Sequence, residues 1–294
     1  MNYHSVVKLP LISTLLFSSY VEAKPPADFA PFTFSVSRVT IGNADVGNDG
    51  NELQRDQWLT NFKAKMPVSK KWILGLDLGY DQLDYDWKSP SGQETDYAWD
   101  DIHRFRAGVS VVYRPDEHWI FMLSPRLQYA YADTATASEA QSYGVVVSAI
   151  HRFSSGHLFG VGVAYLNDID EVRTVPYLAF RWQINDAWYL SNPFSVGFSG
   201  PGGIELSYLA TPDWEFGLGV SKRTSRFLIA DNENTAEIDE WVSHLRASWK
   251  WTPKITISAF AGYFFSGELE LNPEDTNETI ENQGGAALEA RFSF

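Results

Sequence analysis

The sequence predicts an all-β protein: a transmembrane, antiparallel, up-and-down β-barrel of fourteen strands, or twelve if one weak hairpin fails. Three observations carry this. Apolar and polar residues alternate strictly along successive segments, the connections between segments alternate short and long, and the N-terminus reads as an export signal. Composition fits. The 294 residues hold 23 Lys+Arg against 37 Asp+Glu, a net charge of −14. That balance excludes a protein that wraps nucleic acid, which needs clustered Lys and Arg. Cysteine is absent, so a disulfide scaffold, a Cys-ligated metal and a thiol nucleophile are excluded. No apolar run approaches the roughly 18 residues of a transmembrane helix, a test that barrel strands evade because each is apolar on one face only.

Residues 1–23 place Lys8 before a short apolar stretch, Leu9 to Phe17, and end Val21-Glu22-Ala23, the pattern of a signal peptide cleaved after a small residue. Export without cysteine points to a bacterial envelope. Residues 24–31 then form a short periplasmic segment, and 32–294 the barrel.

Period-2 alternation marks the strands. Trp72, Leu74, Leu76, Leu78 and Tyr80 oppose Gly75, Asp77, Gly79 and Asp81. Phe105, Ala107, Val109, Val111 and Tyr113 oppose Arg104, Arg106, Gly108 and Ser110. Similar patterns follow Trp119, Trp214 and Ile255. Short connections are expected at 67–71, 115–118, 154–157, 185–186, 211–213 and 252–254. Longer ones are expected at 42–52, 84–100, 132–141, 167–173, 193–202, 229–239 and 267–284. Short periplasmic turns, long external loops and an even strand number are the pattern of outer-membrane barrels. The weakest element is 187–192; if it and 203–210 make no hairpin, the count falls to twelve.

Aromatic placement agrees. Trp72, Trp119, Trp182, Trp188, Trp214, Trp249 and Trp251 all lie beside short turns. An indole, apolar with one N–H, suits a membrane–water boundary, so these seven form a belt at one height. Pro67, Pro115, Pro212 and Pro253 suit the turns, where a missing N–H costs little.

Charge sorts in the same way. The segments 42–52, 84–101, 133–141, 166–171, 229–240 and 267–283, on the expected external side, hold 25 of the 37 acids and a single base, Lys88. Such a surface would bind divalent cations loosely and bridge to lipopolysaccharide phosphates. Lys63, Arg104, Arg106, Arg126, Arg152, Arg181, Arg246, Lys250 and Arg291 fall opposite the aromatics, with Asp77, Asp81, Glu205, Glu215 and Glu289. Facing lipid, an Arg or Lys costs about 2–4 kcal/mol at the midplane; facing a lumen, they avoid that cost. These fourteen are the candidate lumen lining.

The chain ends on an alternating strand with Leu288, Ala290, Phe292 and Phe294 on one face and Glu289, Arg291 and Ser293 on the other. Phe292 and Phe294 resemble the C-terminal signal that the barrel-assembly machinery reads in Gram-negative outer-membrane proteins, which implies insertion into the outer membrane. The segment from Trp182 to Trp188, followed by Gly200 to Tyr208, resembles an uncharacterised family of bacterial outer-membrane β-barrels, a domain of unknown function, over the whole mature chain. The resemblance implies no activity, so no functional residue follows from it.

Chemistry is not indicated. His151 to His157 has phospholipase-like residue types in the wrong order, and Gly197-Phe198-Ser199-Gly200 is not a nucleophile elbow. No two histidines have useful metal spacing. Asp100-Asp101 with His103 is the one local hint of a rim protease. Asp45 to Asn51 has calcium-loop flavour with two ligand positions weakened, and reads as a solvated loop. No catalytic residue, metal or cofactor is assigned. The expected function is a passive porin-like channel for small polar solutes or ions. A closed envelope scaffold is the alternative, and a hydrolase the third. Its surroundings would be outer-membrane lipids and lipopolysaccharide. Fourteen strands leave room for a narrow pore unless a loop, 84–101 or 267–284, folds inward.

Overall fold

The computed structural model describes residues 30–90, 99–169, 171–192, 197–231, 234–273 and 276–294. The expected signal peptide, 1–23, and residues 24–29 of the following segment lie outside the described residues. The strands are β1 (Phe32–Val46), β2 (Asn51–Pro67), β3 (Trp72–Lys88), β4 (Asp101–Tyr113), β5 (Trp119–Ala132), β6 (Gln141–Arg152), β7 (Leu158–Asp168) and β8 (Glu171–Gln183). They continue as β9 (Trp188–Ser191), β10 (Gly202–Leu209), β11 (Trp214–Ala230), β12 (Asn234–Thr252), β13 (Ile255–Asn272), β14 (Thr276–Ile280) and β15 (Gln283–Ser293).

From β1 to β14 each strand pairs antiparallel with the next, and β15 returns to β1 from Thr33↔Ser293 to Ile41↔Gly285, closing a barrel. β14 and β15 lie on one line. Both pair with β13 and both with β1, so they are one stave interrupted at 281–282. The barrel therefore has fourteen staves. The short hairpin β9–β10 forms, with Trp188↔Tyr208 and Ser191↔Glu205 in register, so the twelve-strand alternative falls.

The six short turns lie where the spacing predicts. Of the long connections, 132–141 and 193–202 also separate strands as expected, but the others are largely strand. β3 runs on to Lys88, β11 and β12 approach each other at Ala230 and Asn234, β13 runs on to Asn272, and β14 takes up Thr276–Ile280. Only four residues, Gly47 to Gly50, join β1 to β2, with both glycines at positive φ (66° and 72°). Much of what reads as polar loop is thus strand. The physical reason is that the strands reverse their amphipathicity. On β3 the outer face is Trp72, Leu74, Leu76, Leu78 and Tyr80, all exposed, and then Gln82, Asp84 and Asp86; the inner face is Gly75, Asp77, Gly79 and Asp81, and then Leu83, Tyr85 and Trp87. Near the short turns the barrel is apolar outside and polar inside. Beyond Tyr80 it is polar outside and apolar inside. The nine residues from Trp72 to Tyr80 match the roughly 9–11 that a tilted strand needs to cross a bilayer.

Two devices accompany the reversal. A row of irregularities crosses β13, the last stave and β1 at one height: Ser266 at φ 51°, the break at 281–282, and the shift between Ile41 and Ala44. Each moves the inward parity by one residue, as a bulge does, and so keeps Ala44, Val46, Leu269 and Ile280 pointing inward and buried. Higher up, β11 reaches across to β5 and pairs with it in parallel at Leu228↔Tyr131, bypassing β6–β10. The upper storey is therefore a pinched ring of nine staves. The hairpin tip of β7–β8 leans on its outside, where Arg226 binds Glu237 (2.6 Å), Glu171 (2.7 Å) and the Ile169 carbonyl (3.2 Å).

Candidate functional site

Interior width follows stave number, and about eight staves leave only enough room for side chains. The two storeys obey this. The fourteen-stave half holds a chamber of about 840 Å³, lined by Lys63, Asp77, Arg106, Arg126, Glu205 and Arg246 among others. Water reaches well into it: on this inward face the Lys63 side chain is 49 % exposed, Asp77 45 % and Arg291 46 %. The nine-stave half is filled. Val39, Ile41, Leu53, Leu83, Tyr85, Ile102, Phe227, Ile238, Phe264 and Leu269 form one apolar core with virtually no exposed surface. Among the described residues, this layer leaves almost no surface for water to touch.

Two elements outside the strands complete this cap. Trp99 sets its ring edge-on to Tyr85 (5.2 Å), Trp87 (5.1 Å) and Phe227 (5.1 Å). Phe198, from the β9–β10 connection, packs on Phe260 (5.7 Å) and Phe264 (5.3 Å). Sequence reasoning named 84–101 and 267–284 as the loops that could close the mouth. Trp99 belongs to the first, but residues 91–98 lie outside the described residues, and the segment 197–200 was not foreseen. Among the described residues the lumen is filled at the long-hairpin end, where the expectation is a passive channel.

Within the cap, Arg55 and Glu240 make a two-pronged ion pair, 3.0 and 2.7 Å, with side chains only 2 % and 3 % exposed. Arg223 reaches Gln57 (3.2 Å) and the Phe198 carbonyl (3.4 Å). Glu237 and Glu240 fall in the segment expected to be an external acidic loop; both are buried in ion pairs instead.

Most of the fourteen predicted lumen residues converge on the chamber. Asp81, fully buried, takes Arg106 at 2.9 Å and Arg104 at 3.7 Å. Glu205 takes Arg246 (2.7 Å) and His244 (3.1 Å); Glu215 takes Arg246 (2.6 Å) and the Tyr189 hydroxyl (2.9 Å). Lys63 pairs with Asp77 at 3.3 Å and Arg291 with Glu289 at 2.7 Å. Arg126 lines the wall between Gly108 and Gly144 of the adjacent strands. Arg181 lies over the Tyr189 ring at 3.9 Å. Arg152 and Lys250 end their strands exposed, at the short-turn rim. Glycines make room for these charges. A Cβ on Gly79 would meet Arg106 Nε at 2.9 Å, and one on Gly217 would meet the Glu205 carboxyl carbon at 2.8 Å.

Trp72, Trp119, Trp182, Trp188, Trp214, Trp249 and Trp251 are all exposed on the outer face beside the turns. Trp214 and Trp249 are neighbours at 5.9 Å, and Trp249 and Trp251 at 6.3 Å. Phe292 and Phe294 also point outward, against Phe34 (6.3 Å) and Phe32 (5.9 Å). Phe32 N–H donates to the Phe294 carbonyl at 2.9 Å, and Phe294 N–H to the Phe32 carbonyl at 3.0 Å. His103, the rim-protease hint, is held on the outer wall between Tyr80 (3.0 Å) and Asp133 (3.0 Å). The described residues contain no group of three or more His, Cys, Asp or Glu placed to hold a metal.

The residues sequence reasoning missed are those of the cap: Arg55, Tyr85, Trp99, Phe198, Phe227, Glu240 and Phe264. The signal was present as alternation that continues with inverted polarity.

Among solved structures, the chain resembles a Pseudomonas aeruginosa FadL homologue (12% identity, 90% of this chain and 89% of that chain, TM-score 0.49). It also resembles the Pseudomonas putida toluene transporter TodX (10%, 90% and 90%, 0.41) and the KdgM porin (9%, 88% and 99%, 0.36). Identities at this level carry no activity across. No curated relative matches. The family profile described as "Domain of unknown function (DUF6268)" matches residues 69–293. That span takes in the walls of the chamber from β3 onward and most of the cap, and the chain belongs to this family.

Proposed function

We propose that the protein is a bacterial outer-membrane barrel that admits small polar solutes to its chamber from the periplasmic side, and that passage across the membrane requires the external cap to open. The observation that supports this is the two-storey interior: a hydrated, charge-lined chamber beneath an apolar plug. Outer-membrane placement draws on the apolar outer band, the tryptophan belt and the even stave number. The belt would anchor the short-turn rim in the lipid interface, and Phe292 and Phe294 would serve recognition during assembly. The cap itself favours a second reading, a closed envelope scaffold.

Conductance across planar bilayers separates the two. The gated-channel reading expects rare or no steps from the wild type and uniform steps from Phe198→Ala, which removes a ring from the plug. Silence from both would leave the scaffold. Steady wild-type steps would mean that the cap is open at rest. Lipase and protease assays on the folded barrel are expected to show no turnover.

A further inference from the structure

We propose that the β4–β5 wall of the chamber binds an oxyanion group carried by a small solute, with Arg106 and Arg126 as its ligands. This deepens the reading above and rests on solutes entering the chamber.

Charge on that wall does not balance. Arg104, Arg106 and Arg126 project from neighbouring positions of one face, Gly108 facing Arg126 in the ladder two residues from Arg106. A single carboxylate, Asp81, serves two of them. The buried Nε atoms of Arg104 and Arg106 have no hydrogen-bond partner. Among the described residues, Arg126 has neither an ion pair nor a hydrogen bond. Asp168, which lines a small pocket with it, is engaged by the Ser142 hydroxyl (2.7 Å) and the Ile169 N–H (3.1 Å). Like charges so placed repel one another, and an anion between them removes the repulsion. Guanidinium groups match the geometry of carboxylate or phosphate oxygens.

The facing wall is different. In a ring of fourteen, β11 and β12 stand seven staves from β4 and β5, directly opposite. Only at the pinch, where β11 comes beside β5, does Arg104 reach Ser225. On that side Glu205 of β10 and Glu215 of β11 are satisfied by Arg246 and His244 of β12 and Tyr189 of β9. Over the fourteen inward residues named from sequence, nine basic groups stand against five acidic ones. The acids that make the whole chain negative lie largely in the long-hairpin segments. Their field at the chamber is screened by salt over roughly 8–10 Å.

The absence of cysteine makes the test direct. Ser124→Cys puts one thiol on the chamber wall, two residues from Arg126. Its modification rate in the folded barrel is measured with an anionic ethylsulfonate and a cationic trimethylammonium methanethiosulfonate, each relative to a free thiol. The anionic reagent is expected to win by about tenfold at low salt. The advantage should shrink as salt rises and when Arg126→Gln is added. A ratio at or below one, or a ratio that Arg126→Gln leaves unchanged, overturns the anion site while leaving an accessible chamber. Modification by neither reagent overturns the chamber reading and the anion site together. Ser35→Cys, on the β1 wall of the same chamber, gives the same comparison if the first variant does not fold.

Discussion

Leu78 and Leu83 lie five residues apart on one strand and live in different solvents. Leu78 points outward and is exposed on the band that faces lipid; Leu83 points inward into a dry core. Around Leu78 the inward neighbours are Asp77 and Gly79, and around Leu83 the outward neighbours are Gln82 and Asp84. The lower storey follows the rule of a membrane barrel, and the upper storey follows the rule of a water-soluble one. Alternation is the same in both. What changes is which side water occupies, and the strand passes from one regime to the other without a break.

The sharpest way to test that contrast is to leave a charge unpaired in the upper storey. Glu240→Ala strips the partner from Arg55 in the cap, and should cost about 3–5 kcal/mol in denaturant unfolding. Hydrogen exchange should show the loss concentrated in the upper parts of β2, β11 and β12, with the lower storey still protected. Uniform loosening of both halves would mean that they are one cooperative unit. Next in size is the matched pair. Leu83→Ala opens a cavity and should cost about 2–5 kcal/mol, whereas Leu78→Ala, on a face that lipid or detergent wets, should cost clearly less. Equal losses would break the two-solvent description.

The smallest effect lies in a turn. Asp116 accepts the N–H of Trp119 and of His118, both at 2.8 Å, and these bonds hold its carboxyl below the usual carboxylate range. Its contribution is therefore present above the ordinary aspartate value and is lost as pH falls through the depressed one. Asp116→Ala should lower stability slightly at neutral pH and not at all in strong acid. A difference that persists in acid would rule out the carboxylate as its cause.

Much of the lower storey was legible in the sequence, because a polar lumen against an apolar exterior leaves alternation, and tight turns leave Pro, Asp and Asn beside Trp. Thus Lys63, Asp77, Arg106, Glu205 and Arg246 were placed on the chamber by parity alone. The upper storey was misread because outward Gln82, Asp84 and Asp86 look like loop once apolar residues are assumed to face out. Leu83, Tyr85 and Trp87 alternate with them and would have extended the strand. Nothing local marks Phe198 as inward, since its position depends on Phe260 and Phe264 of β13, far along the chain. The pairing of Arg55 with Glu240 joins residues far apart in sequence, and no spacing announces it.

The pinch has an arithmetical side. Staves that alternate in direction close without conflict only when their number is even. Cutting β6–β10 out of the circuit removes five, so the remaining loop must contain one joint between strands running the same way. That joint is Leu228 with Tyr131. Among the described residues it is the one place in the sheet where neighbours agree in direction, and any movement that restored the full circumference would have to begin by separating it.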